Sequence, residues 1–478
     1  MKVEDFIVHP KSTIRNALEL ININGRGICF VQDSTGVVGA LSDGDVRRYL
    51  LKNNSIDSQV EQAMNQNFVA CSVQAHSSEI RNLFSGSIKI LPLVNQDNCI
   101  VDFADVLSTH RLPVLEPEIS GNELAYVTDC IETGWISSQG QYVKKFEEQF
   151  SQMYEGMQAI AVSNGTVALH LALITMGIKA GDEVIVPDLT FAATINSVIY
   201  CGATPVLCDV SKDTWCINPE CIESLITTKT KAIIPVHLYG QNVNMYELCR
   251  IAKQYNLHLI EDCAESLGSY IKGAPTGSHG DVSTFSFFGN KTISTGEGGM
   301  VLFRSPQCAD LARTLRDHGM SKSKRYWHEH VGFNYRMTNL QAAIGVAQME
   351  RLDKIVAKKR EIRIWYNERL STSTFINQVP FESEGDVNSN WLYTISLTDN
   401  SKRDLVIELL LERGIEARQA FYPLHHMPIY SQFGDPKKLA NSTIISKCSL
   451  SLPTSVKLKN EDVSYICNSL EDIFSVLG

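Results

Sequence analysis

No stretch of this 478-residue sequence approaches the roughly 18 uninterrupted apolar residues that a bilayer span requires, so no membrane segment is expected. The first residues, "MKVEDFIVHP", lack the apolar core of a secretory leader. The thirteen cysteines are scattered, with no CxxC pair and no regular spacing. Reduced thiols in a cytoplasmic protein account for them, and no metal centre is expected. Positive charge is also short: 43 Lys and Arg stand against 53 Asp and Glu, a net charge of −10. A binder of nucleic-acid backbone needs the opposite balance, although a nucleotide as a small ligand is not excluded. Low-complexity tracts and solenoid repeats are absent as well.

What is present is a globular composition, 44% hydrophobic and 20% charged. The chain is too long for one ordinary core. A proline-bearing stretch with little helical periodicity, "LSTHRLPVLEPEIS", begins at residue 107 and reads as a linker. A boundary near residue 112 follows, with domains expected at 1–112, 113–360 and 361–478.

In the first of these, residues 13–27 carry helical apolar spacing, 28–42 read as two strands around a turn, and 43–53 as a helix. A weaker copy follows, with a helix around 77–85, strand text over 88–103 and then "ADVLSTH". This pair resembles a tandem cystathionine-β-synthase (CBS) module. The resemblance implies one adenine-nucleotide site, because Ser42 and Asp45 match the Ser/Thr and Asp that hold the ribose in that family. The plain alternative is that Asp43 and Asp45 favour a helix N-terminus.

Beyond the seam, short and almost continuous apolar runs alternate with helical stretches: "QAIAVS" (158–163), "DEVIVP" (182–187), "TPVLCDV" (204–210), "KAIIPV" (231–236) and "LHLIED" (257–262). That pattern implies a mostly parallel sheet covered on both faces, with ligands beyond the carboxyl ends of its strands. Asn164-Gly165-Thr166, Asp188, His237 and Asp262 fall there. From about residue 360 the text suits a smaller α+β unit.

The turn "SNGT" before "VALHLAL" suits either a phosphate at a helix N-terminus or a simple cap. Asp262 closes an apolar strand, where an acid needs a partner to stay charged. Lys291 stands in "TFSFFGNKTISTGEGGM" between aromatic residues and glycines. Together the acid and the lysine suggest pyridoxal phosphate: the lysine bonds to the cofactor's aldehyde and the carboxylate holds the ring-nitrogen proton. The aromatic run reads as the wall that desolvates Lys291, and Ser286 within it as a phosphate hydroxyl.

The blocks "GWISSQGQYVKKFEEQF", "NGTVALHLAL", "DEVIVPDLTF", "NSVIYCGATPVL", "PVHLYGQ", "IEDCAES", "TFSFFGNKTISTGEGGM" and "GFNYRMTNLQAAIGVAQMERLD" resemble, in order, the DegT-type sugar-nucleotide aminotransferases. The resemblance covers about residues 119–478. It implies an α/β fold-type I aminotransferase, with a mostly parallel sheet, helices on both faces and a small C-terminal α+β domain, here preceded by the CBS-pair-like α+β domain. It implies pyridoxal 5'-phosphate as cofactor. Lys291 matches the lysine that bonds to it, and Asp262 the partner of the ring nitrogen. Gly165, Thr166 and Ser286 match phosphate binders, and Phe191 the stacking aromatic. Glu265 stands where many members carry Gln. Asn334 matches an asparagine reaching the phosphate from a neighbouring subunit, which implies a homodimer. Tyr422, His425, Tyr326, Trp327, Arg418 and His237 are candidates around the sugar nucleotide, His237 being equally readable as a satisfied core histidine. The implied substrates are L-glutamate and a 4-keto-6-deoxy sugar nucleotide, GDP-linked first and UDP- or dTDP-linked as alternatives; the rival of a different class is a non-catalytic regulatory protein of the same fold. One branch of the family carries histidine in place of the lysine; this chain keeps Lys291, which favours transamination.

Overall fold

A computed structural model describes residues 3–53, 55–75, 79–80, 83–84, 88–105, 112–380 and 382–477. By internal contacts the chain divides into two compact units, Met1–Leu112 and Pro113–Gly478.

The first unit holds β1 (Ile7–Val8), α1 (Ile14–Asn24), β2 (Ile28–Asp33), β3 (Gly36–Ser42), α2 (Asp43–Asn53), β4 (Cys71–Ser72), β5 (Ile90–Val94) and β6 (Ile100–Asp105). Thr13 opens α1 with a capping box shared with Asn16, and Gly25 closes it at φ 63°, where glycine carries no steric penalty. The strands form two three-stranded sheets of like pattern. In each, a two-residue strand pairs parallel with the first arm of an antiparallel hairpin, β1-β2-β3 in one and β4-β5-β6 in the other. Most of the helix expected around 77–85, and the "VLSTH" end of the text after it, lie outside the described residues.

The second unit holds α3 (Glu123–Glu132), α4 (Gln141–Met153), β7 (Gln158–Val162), α5 (Gly165–Thr175), β8 (Glu183–Pro187), α6 (Ala192–Tyr200), β9 (Thr204–Cys208), β10 (Thr230–Ile233), α7 (Met245–Tyr255) and β11 (His258–Asp262). A two-residue hairpin follows, β12 (Tyr270–Ile271) with β13 (Ala274–Pro275), then β14 (Val282–Ser286) and β15 (Gly299–Phe303). Seven strands make one sheet in the order β7-β15-β14-β11-β10-β8-β9. The pairs from β14 to β9 are parallel; β15 runs antiparallel to both its neighbours. Helices α5 and α6 supply one apolar layer, with Leu169, Leu171, Leu173, Ile195 and Val198 buried against the sheet. On the other face, Phe146 and Phe150 of α4 pack with Phe285, Phe287, Met300 and Leu302. Both faces being covered, the strands show no polar alternation.

After α8 (Pro306–Arg316), α9 (Asn339–Met349) and the long α10 (Leu352–Leu370) comes a smaller antiparallel sheet. It consists of β16 (Ile376–Gln378), β17 (Tyr393–Leu397), β18 (Arg418–Gln419) and β19 (Ser449–Leu452), in the order β16-β17-β19-β18. Helices α11 (Arg403–Glu412), α12 (Ala440–Cys448) and α13 (Asn460–Leu477) accompany it.

Candidate active site

The parallel strands deliver their carboxyl ends to one cavity of about 640 Å³. Lys291, Asp262, Glu265, Gly165, Thr166, Ser286, Phe191 and Arg418 all border it.

Asp262 is the last residue of β11 and only 4% exposed. Thr194 Oγ1 donates to one carboxylate oxygen at 2.9 Å and the Ala264 N–H to the other at 3.1 Å. Burial nevertheless pushes its carboxyl above the ordinary range, against the pull of those bonds and of Lys291. A cationic group placed opposite would restore its charge. Glu265 is buried as well; the Tyr239 N–H donates to it at 2.8 Å, and the Lys291 amine stands 3.4 Å away. Burial raises its carboxyl too, and the lysine cation opposes that.

Phe285 and Phe288 of the aromatic run border the same cavity as Lys291, but the ring over the amine comes from elsewhere. The rings of Phe285 and Phe287 are buried against Phe150, with Phe287 also on Phe146. They anchor β14 to α4. The ring over the amine belongs to Trp391, with its centroid 3.9 Å from Nζ. The Trp391 indole N–H donates to the Asn290 carbonyl at 2.6 Å, tying the two segments together.

At one end of the cavity Asn164 caps α5 by accepting from the Val167 N–H at 3.0 Å. Gly165 and Thr166, in the first helical turn, keep N–H groups that the helix itself cannot pair. A Cβ on Gly165 would lie 2.8 Å from Ser286 Cβ, so the glycine is what lets the helix start reach Ser286. Phe191 is 59% exposed, caps α6 and approaches Phe421 at 6.0 Å between centroids.

Several expected residues stand elsewhere. His237 is fully buried and off the cavity wall. The Val243 N–H donates to its Nδ1 at 3.2 Å, which leaves the Nε2 hydrogen for Glu261, also at 3.2 Å. It is a satisfied core histidine. Glu261, Cys263 and His237 bring ligand-type atoms within 4.8 Å, yet Glu261 is already committed to the N–H groups of Gly277, His279 and Gly280. His425 also misses the cavity wall: its ring is held 2.7 Å from the buried Asp188 carboxylate. Tyr422 is exposed and donates at 3.1 Å to Gln419, which does border the cavity. Asn334, Tyr326 and Trp327 are exposed and outside the cavity of their own chain. In the first unit, Ser42 and Asp45 cap α2 reciprocally: the Ser42 hydroxyl and N–H donate to the Asp45 carboxylate, and the Asp45 N–H to the hydroxyl. Thr194, Tyr239 and Trp391 are not among the expected site residues; only Tyr239 lies in a block that carries the resemblance, "PVHLYGQ".

The sequence model of the DegT/DnrJ/EryC1/StrS aminotransferase family matches residues 117–471. The GDP-perosamine synthase of Escherichia coli O157:H7 is 43% identical over 364 residues, 76% of this chain and 99% of that protein. That of Vibrio cholerae is 43% identical over 368 residues, 77% of this chain and 100% of its own length. Among solved structures, a Streptococcus pneumoniae protein described as a sugar aminotransferase, in its PLP-form, gives a TM-score of 0.72 at 28% identity, covering 76% of this chain and 98% of that one.

Proposed function

Because the chain belongs to the DegT/DnrJ/EryC1/StrS aminotransferase family, we propose that it moves the amino group of L-glutamate to GDP-4-keto-6-deoxymannose, giving GDP-perosamine for a surface polysaccharide. It is an aminotransferase that depends on pyridoxal 5'-phosphate. The identity to two GDP-perosamine synthases supports the GDP-linked sugar.

The residues present fit the cofactor. The glycine cradle that a Cβ would fill, and the buried carboxyl awaiting a cation, are the features such a group needs. Gly165, Thr166 and Ser286 would hold its phosphate, Phe191 its ring face and Asp262 its ring nitrogen. Glu265 would orient the Lys291 amine. When bound, the cofactor supplies an electron sink for the carbon that loses or gains a proton. Lys291 would carry the proton from the amino-acid carbon to the cofactor's carbon in the first half-reaction, and from that carbon to the sugar carbon in the second, acting each time as base and then acid at its single nitrogen. Asp262 would hold negative charge opposite a protonated ring nitrogen. The two substrates use the same cavity in turn, which implies ping-pong kinetics. Arg418 and Tyr422 are assigned to the sugar nucleotide.

A second copy of the chain is part of this reading. Asn334, Tyr326 and Trp327 would serve the partner's cavity. Leu124 and Ile131 of α3, with Trp135 and Ile136 beyond it, expose large apolar surface suited to such a contact. Residues 1–112 are read as a CBS-like module whose Ser42 and Asp45 would take a regulatory nucleotide; the repeated sheet pattern supports that duplication. No helix among the described residues is long and apolar enough to cross a membrane, and a cytoplasmic site of action is proposed.

The observation that carries the chemistry is Lys291 and the buried Asp262 sharing one cavity. The test is the mass of the product formed from glutamate and GDP-4-keto-6-deoxymannose, beside UDP- and dTDP-linked ketosugars. Amination of the GDP-linked sugar is expected. Turnover only with another nucleotide would reassign the substrate, and full activity of Lys291→Ala would overturn the mechanism.

A further inference from the structure

Lys359 lies on α10 and is 2% exposed. No carboxylate pairs with it among the described residues. Its amine donates instead to two backbone carbonyls, Trp391 O and Thr454 O, each at 3.2 Å. Burial pushes that amine down to about 7. An amine buried without an ion pair is costly, and a methionine would fill the same volume with no such cost. The two carbonyls say what the lysine holds.

Trp391 is the residue whose ring covers the Lys291 amine at 3.9 Å. The backbone that delivers it is strained. Asn390, just before it, has φ 51°, and Tyr239, whose ring stacks on Trp391 at 6.3 Å, has φ 55°. Non-glycine residues persist in that region only when their surroundings hold them. Lys359 and the Thr454 hydroxyl, 3.1 Å from the same carbonyl, are the holders immediately after the kink. Lys359 and Lys291 also border one small void of about 10 Å³.

We propose that Lys359 is a positioning residue for the catalytic lysine: by clamping the carbonyls of Trp391 and Thr454 it fixes the Trp391 ring that holds the Lys291 amine in place for the cofactor. This rests on Lys291 being the cofactor-bearing amine.

The test uses the full-length chain freed of cofactor. Capture of added pyridoxal 5'-phosphate is followed by its visible absorbance, and steady-state kinetics are measured on the loaded protein. Lys359→Met is expected to slow capture at least about tenfold through lost preorganisation. It should lower kcat while leaving KM within about twofold, since the substrates do not touch it. Trp391→Leu should reproduce the slow capture, and the double variant should be no slower than Trp391→Leu alone. Capture by Lys359→Met at the unmodified rate overturns the proposal. So does a double variant in which the two losses multiply. Where Lys359→Met does not fold, Lys359→Gln takes its place with the same outcomes. An unmodified chain that captures no cofactor sinks the functional reading itself; capture that is normal in the unmodified chain and in the Lys359 variant sinks this inference alone.

Discussion

Asp262 shows how one buried side chain couples protonation to stability. Its carboxyl is buried at the end of β11 and is raised above its ordinary value of 3.8. Glu265 is raised from 4.5 in the same way. A group protonated more readily when folded than when unfolded contributes stability that is complete below the ordinary value. That contribution is lost as pH climbs through the raised one. The cofactor-free chain should therefore lose stability as pH rises from about 4 through that window. Asp262→Asn, which cannot ionise, should flatten part of the slope. Melting temperatures of both proteins across a pH series decide it; identical slopes would assign the dependence to other groups. The same residue scale shows where sequence reading stops. Asp262 and Lys291 were legible because an acid ending an apolar strand and a lysine among aromatics and glycines are locally odd. Trp391 was not, because it stands 100 positions after Lys291 and nothing local announces their 3.9 Å contact. His425 stands off the cavity wall, and His237 takes the core-histidine reading of its two, for the reverse reason. They occupy suggestive places at strand ends and in a loop, yet Glu261 and Asp188 satisfy them behind the wall.

At the scale of elements, the strands β7, β8, β9, β10 and β11 were legible as short apolar runs because a two-face-covered sheet needs nothing else. The antiparallel insertion of β15 between β7 and β14 was not, since apolar runs carry no direction. It matters to the site, because it pairs Ser286 with Gly299 and so brings the end of β14 against the start of α5. A Cβ on Gly299 would meet the Asn164 carbonyl oxygen at 2.5 Å, and one on Gly165 would meet Ser286 Cβ at 2.8 Å. Neither neighbour is a flexible side-chain tip. Gly165→Ala should therefore displace the first turn of α5, at about 1–3 kcal/mol for overpacking. Pyridoxal 5'-phosphate affinity should fall by about tenfold or more as the turn's N–H groups move. Cofactor titration beside a thermal melt checks both. A loss of stability with unchanged affinity would remove this turn from the phosphate site.

On the scale of the whole molecule, the chain forms two compact units, Met1–Leu112 and Pro113–Gly478. The family match begins at residue 117, and the two GDP-perosamine synthases are matched over 99% and 100% of their own length by about three quarters of this chain. The matched lengths, 364 and 368 residues, leave about a quarter of this chain outside the match. All the residues bordering the candidate cavity come from the second unit. Residues 113–478 alone should therefore fold, take up pyridoxal 5'-phosphate and turn over within about threefold of the full chain, a difference below 1 kcal/mol in the barrier. A much larger loss would make residues 1–112 part of the catalytic apparatus. If the first unit is regulatory, the difference between the two proteins lies in their response to nucleotide. Adenine nucleotides should change the rate of the full chain and leave that of residues 113–478 untouched, and Asp45→Ala should abolish the response. Asp45 also caps α2 by its bonds to Ser42, so the variant's melting temperature has to be read beside its rate. An Asp45→Ala protein that melts as the full chain does and still responds would leave Ser42 and Asp45 with only their capping role.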